Sequence, residues 1–166
     1  AGGIGTGAHL VAALALGADG VALGTRFLVA EEIWAHRGYK ERLVAADETN
    51  TALILQSIKK TQRALANEKA KTVVQLEREH GGNLDVLLPH ITGKLGRKAY
   101  ESGDYDQAIL SLGQSVAFAD RIEPIAAIVA RLENEARSAL QRLDTLNIAE
   151  DPGTARIKAA KVSQLD

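Results

Sequence analysis

Ala1-Gly2-Gly3-Ile4-Gly5-Thr6-Gly7 opens the chain, and Val21-Ala22-Leu23-Gly24-Thr25-Arg26-Phe27 follows after one short apolar segment. Residues 1–4 read as the end of a strand. Val21–Leu23 reads as a short strand buried on both faces, because it is continuously apolar. Between them Ala8–Leu16 reads as a helix bounded by Gly7 and Gly17, and Ala18-Asp19-Gly20 as a turn. The order strand, glycine turn, helix, turn, strand is a βαβ unit with a minimal crossover. A turn without Cβ atoms lets backbone N–H groups approach a phosphate. Two such turns on neighbouring strands form the phosphate cradle of the last two strands of a (β/α)8 barrel. The predicted fold class is α/β, with residues 1–37 as the end of such a barrel.

Composition narrows the function classes. The chain has 166 residues, 46% of them hydrophobic and 25% charged, as in globular proteins generally. A net charge of −1 offers no electrostatic attraction for nucleic acid or an anionic membrane. Cysteine is absent, which excludes disulfides, thiolate metal sites and a cysteine nucleophile within these residues. The apolar run Leu10–Leu16 is far too short to span a bilayer. No basic leader precedes an apolar stretch, so a cytoplasmic location is the default expectation. Methionine is absent even at position 1, and the first glycine turn has almost no strand before it. The expectation is a C-terminal portion of a longer protein.

After Phe27 the chain becomes more charged. Ala30–Ala46 is predicted helical, Arg63–His80 strongly so, and Leu84–Leu88 as a short helix running into Pro89. Gly93–Glu101 and Tyr105–Asp120 are two further predicted helices, so that residues 47–122 read as helical without a strand. Pro124–Leu143 carries the clearest periodicity. Ile125, Ile128, Val129, Leu132, Ala136, Leu140 and Leu143 recur at three- and four-residue steps and form one apolar stripe. Pro124 suits the first helical position. From Asp144 apolar content thins, and the basic stretch 154–166 reads as a loosely held tail.

These stretches, taken in order, resemble the flavin-binding barrel of the nitronate monooxygenase family, once called 2-nitropropane dioxygenases. The resemblance rests on AGGI at residues 1–4 and ALALGADGVALGTRFL at residues 13–28. It continues through Ala35-His36-Arg37-Gly38-Tyr39-Lys40, Ala64-Leu65-Ala66-Asn67, Gly93-Lys94-Leu95-Gly96-Arg97-Lys98-Ala99-Tyr100 and Gly113-Gln114. It covers roughly residues 1–143. It implies a TIM barrel that binds flavin mononucleotide (FMN). Residues 38–122 would be a mostly helical substrate or cap domain, 123–146 a helix returning to the barrel, and 147–166 a flexible tail. The implied activity is oxidation of a small alkyl nitronate with O2 to a carbonyl compound and nitrite. The first motif is shared with FMN-dependent enoyl-acyl-carrier-protein reductases, which remain an alternative, as does an inactive truncated fragment.

Gly2, Gly3, Gly24 and Thr25 are the candidate phosphate-binding residues, helped by the helix start near Gly7 and by the Thr25 hydroxyl. The structural alternative is that the glycines only permit tight turns. The resemblance adds Ala22 and Leu23, which precede the Gly-Thr pair. Some relatives carry a polar side chain where this chain has Ala22, so contact there would come from backbone. Gln114 would face the flavin and substrate cavity, or else make local hydrogen bonds in a helix. Removing the α-proton of a carbon acid needs a base. The resemblance places that base, a histidine, upstream of the AGGI turn. No catalytic residue is therefore assigned among His9, His36, His80 and His90. His9 is expected at the surface. No histidine and carboxylate share metal-ligand spacing, so no metal is expected. Arg26 could pair with the phosphate, but a salt bridge at the barrel rim is the stronger expectation. Trp34 is expected to pack between barrel and helical domain rather than stack on the flavin. Two strands cannot close a barrel, so the strand edge and the long apolar stripe predict association with another chain or another copy.

Overall fold

The Thr6 side chain starts the first element. It accepts a hydrogen bond from the His9 amide and caps α1, Gly7–Ala15. The end of α1 is equally local. Gly17 takes φ +95°, its N–H donates to Leu14 O, and Ala18 N–H donates to Ala13 O. That is a Schellman ending, which requires a residue comfortable in the left-handed region. A computed structural model describes residues 1–145 of the chain. The expected tail at 147–166 lies outside the described residues.

Residues 1–4 and Val21–Leu23 do not form strands. Val21 and Leu23 are half-buried and Ala22 is exposed, in place of the expected burial on both faces. A strand exists only through ladder hydrogen bonds to a neighbour. Among the described residues nothing pairs with Val21–Leu23. Thr25–Phe27 forms one 3-10 turn, and Ala30 makes an isolated parallel bridge to Glu123. The helix expected over Ala30–Ala46 shrinks to α2, Arg37–Val44, because His36 caps it: its Nδ1 accepts from the Gly38 amide at 3.0 Å.

The middle of the chain is not wholly helical. Strand β1, Thr51–Ile54, pairs antiparallel with β2, Gln62–Leu65, in the register Thr51 to Leu65 and Ile54 to Gln62. Residues 110–112 run alongside as a third extended piece, with Leu65 N–H donating to Leu110 O and Leu112 N–H to Arg63 O. Arg63–Leu65 therefore belong to a strand, and the expected helix begins only at α3, Glu68–His80. Asn67 decides that start. Its side-chain oxygen accepts from Ala70 N–H, while its Nδ2 donates to Ala108 O at 2.8 Å. Helices α4, Leu84–Ile91, and α5, Gly93–Ser102, follow. The helix expected over Tyr105–Asp120 is two 3-10 turns, Tyr105–Gln107 and Gln114–Phe118.

Helix α6, Ile125–Asp144, confirms the periodic stretch almost to the residue, with Pro124 as its N-cap rather than its first turn. The Ile125 amide donates to both oxygens of Glu32 at 3.0 and 2.9 Å. Two apolar clusters hold the middle. Val29, Tyr39, Leu43, Leu65, Leu110, Leu112 and Val116 belong to one; Ile54, Val73 and Leu87 belong to the other. Of the α6 stripe only Ile128 is fully buried; Val129, Leu140 and Leu143 are 40%, 56% and 46% exposed.

Candidate anion-binding site at the two glycine turns

The glycines of the first turn fall into two physical kinds. A Cβ on Gly7 would lie 2.2 Å from Leu132 O and 2.3 Å from Ala136 N, so this glycine lets α1 cross directly over the α6 backbone. A Cβ on Gly5 would meet the Phe118 ring at 2.4 Å. Gly2 and Gly3 differ. They take φ +82° and +72°, and a Cβ on either would meet nothing within 4 Å. Gly24, in the second turn, is equally open. Its φ of −109° would suit any residue, so neither crowding nor backbone strain requires glycine there. Gly17, Gly20, Gly81 and Gly93 are also open, so openness alone singles out nothing.

Position singles out the two turns. Both rest on residues 113–118. The Thr25 hydroxyl accepts a hydrogen bond from the Gly113 amide at 2.9 Å, at the start of that segment. At its end, the Phe118 ring meets Gly5 and stacks edge-on against His9, with centroids 5.0 Å apart. His9 is not simply a surface residue. It is half-buried, and its Nδ1 accepts from the Gly5 amide at 3.3 Å. The amides of Gly2, Gly3, Gly24 and Thr25 make no hydrogen bond among the described residues. Free amides at side-chain-free turns braced on one segment are what an anion requires.

The Gly7 amide donates to Glu135 Oε2 at 2.7 Å, so a carboxylate of α6 already answers the positive end of this helix. Exposed Ala22 presents no polar side chain, and half-buried Leu23 precedes the turn. Gln114 is exposed and begins the 3-10 turn after Gly113, beside Thr25 rather than in a long helix.

Arg26 lies behind the second turn, 2% exposed. Its Nη2 donates to Glu123 Oε1 at 3.4 Å, the salt bridge expected of it. Arg131 Nη2 reaches the same Glu123 oxygen, and its Nη1 donates to Asp120 at 2.7 Å. Burial pushes the Arg26 guanidinium below its ordinary value, and neighbouring Arg131 pushes the same way against Glu123 and Asp120. The guanidinium still stays charged. Trp34 is 63% exposed and meets Tyr100 edge-on, with centroids 5.5 Å apart. His36 is engaged at its Nδ1 as a helix cap, and a Cβ on Gly103 would strike that ring at 2.6 Å. Among the described residues no three His, Asp or Glu side chains are grouped to hold a metal. No helix there is long and apolar enough to cross a membrane.

Sequence reading missed the partners rather than the turns. Glu135, Glu123 and Gly113 reach the glycine turns from 128, 97 and 88 residues away, and no local spacing signals such pairs. Relatives supply an independent line. The family model described as nitronate monooxygenase matches residues 1–135. A nitronate monooxygenase of Paraburkholderia phytofirmans is 31% identical over 144 residues, 86% of this chain and 38% of that protein. Among solved structures, FabK from Thermotoga maritima is similar with a TM-score of 0.78 at 29% identity, over 87% of this chain and 45% of that one. Nitroalkane oxidase from Streptomyces ansochromogenes is similar with a TM-score of 0.64 at 32% identity, over 86% of this chain and 40% of that one. The chain thus spans less than half the length of each of these relatives. With the family pattern running through both glycine turns and on into α6, the chain belongs to the nitronate monooxygenase family.

Proposed function

We propose that the whole protein carrying this chain is an FMN-dependent oxidoreductase that converts alkyl nitronates to carbonyl compounds and nitrite with O2. In this reading residues 1–37 are the end of a TIM barrel, and 38–122 cover its substrate side. The observation that carries the reading is the pair of open glycine turns with free amides, braced on residues 113–118. The Gly2, Gly3, Gly24 and Thr25 amides would hold the FMN phosphate. The Thr25 hydroxyl accepts from Gly113, which leaves its proton free to donate to a phosphate oxygen. The backbone at Ala22 and Leu23 would flank the cofactor, and the Gln114 amide would orient the nitro oxygens of the substrate. Bound FMN supplies the electron transfer between nitronate and O2.

Two nitronates and one O2 give two carbonyl compounds and two nitrites, which balances atoms and charge without an outside reductant. Each C–N bond breaks as a C=O bond forms, and nitrite carries the negative charge away. The residues of this chain bind and orient in that scheme; no proton transfer is assigned to any of them. The test is to supply the whole protein with propyl nitronate and oxygen, and separately with crotonyl thioester and NADH. Nitrite release with oxygen uptake is the expected result. NADH consumption without nitrite would assign the protein to the enoyl reductases instead, and a protein without flavin absorbance bands would end the flavin reading.

A further inference from the structure

We propose that the pocket enclosed by α3, α4, α5 and the turn at Tyr105–Gln107 binds a small organic acid, a carboxylate joined to a short apolar chain. The pocket holds about 420 Å³, within the range of about 300–1,000 Å³ usual for small-molecule sites. It shares no residue with the glycine turns. Its wall divides by chemistry. Pro89, Leu95 and Ala99 give an apolar surface, and Lys69 and Lys98 bring two cations from different helices. Neither lysine is in an ion pair among the described residues; on α3 it is Lys71 that pairs with Glu68. Asp104 is the one acid on the wall, and it lies beyond ion-pair distance of both lysines. The pocket therefore carries a net positive charge.

Two further groups lack a full set of partners. His90 lines the pocket, and its Nδ1 is buried with no hydrogen-bond partner among the described residues. The ring forms part of the wall and so reports on whether the pocket is filled, while Nδ1 itself has no surface open to a ligand. Ser102 Oγ accepts from the Asp104 amide at 3.1 Å, which leaves its hydroxyl proton to donate. Two ammonium groups and a hydroxyl suit a carboxylate. The carbon wall suits an attached alkyl chain and distinguishes such a ligand from inorganic phosphate, which would leave that wall uncovered.

The test is a calorimetric titration of the full chain with hexanoate, with hexanamide and inorganic phosphate as comparators. The His90 ring protons are followed by NMR. Hexanoate should bind at least about tenfold more tightly than either comparator and shift the His90 resonances. The double variant Lys69→Gln/Lys98→Gln, with an unchanged circular dichroism spectrum, should weaken hexanoate at least about tenfold, whereas Lys98→Arg should retain it. Hexanamide or phosphate binding as tightly as hexanoate, unmoved His90 resonances, or an unaffected double variant would each overturn the proposal.

Discussion

Gly7 and Gly24 are both glycine, for opposite reasons. At Gly7 the space is filled by the backbone of α6; at Gly24 it is empty. Gly7→Ala should therefore push α1 off α6 and cost about 2–4 kcal/mol, since backbone atoms cannot rotate out of the way as a side chain can. Gly24→Ala should change stability by less than about 0.5 kcal/mol, because no atom is met and φ is already negative. Thermal or urea denaturation of the two variants reads the difference directly. The two positions look alike in the sequence, where both follow a small or apolar run before a helix or turn. What separates them is the presence of Leu132–Ala136 beside one and not the other. The turns were legible because glycine in such runs is a local signal. Glu135 on the Gly7 amide and Gly113 on the Thr25 hydroxyl were not, because a contact across most of the chain leaves no periodic trace.

At the scale of elements, strong periodicity was reliable and weak periodicity was not. Helix α6 and the ends of α1 and α5 lie within a residue or so of where the pattern puts them. The stretch from 47 to 67 misled. Gln62–Leu65 pairs with Thr51–Ile54 and with residues 110–112, and this tertiary pairing overrides the helical reading of Arg63 onward. Conversely, Val21–Leu23 has strand composition but pairs with nothing among the described residues, so composition alone does not make it a strand.

The start of α6 also predicts a pH effect. The Asp120 carboxyl is held below its ordinary value of 3.8 by hydrogen bonds from Arg121 and, against some burial, from Arg131. A carboxyl depressed in the folded state stabilises above its ordinary value, and that stabilisation is lost as the pH falls through the folded one. Both partners reach solvent, so the contribution is under about 1 kcal/mol. Asp120→Asn should lower the melting temperature at neutral pH. Its deficit relative to the parent should shrink as the pH is taken below 3.8, which calorimetry at several pH values would follow.

For the whole molecule, apolar side chains are exposed at the end of α1 and along α6: Leu16 is 90% exposed, Leu140 56% and Leu143 46%. Such a face drives association. Sedimentation of the chain at micromolar concentration should show dimers or larger species that dissociate when Leu140 and Leu143 are replaced by Gln. A monomer in both cases would contradict this. Flavin fluorescence titration of the whole protein and its Gly24→Ala variant tests whether the two glycine turns hold the phosphate of FMN. If the turns hold the phosphate, a Cβ at Gly24 would stand in its path, whereas among the described residues no atom lies within 4 Å of that Cβ. The variant should bind FMN at least about tenfold more weakly, with an unchanged melting temperature in the absence of flavin. Equal affinity in the two proteins would contradict it.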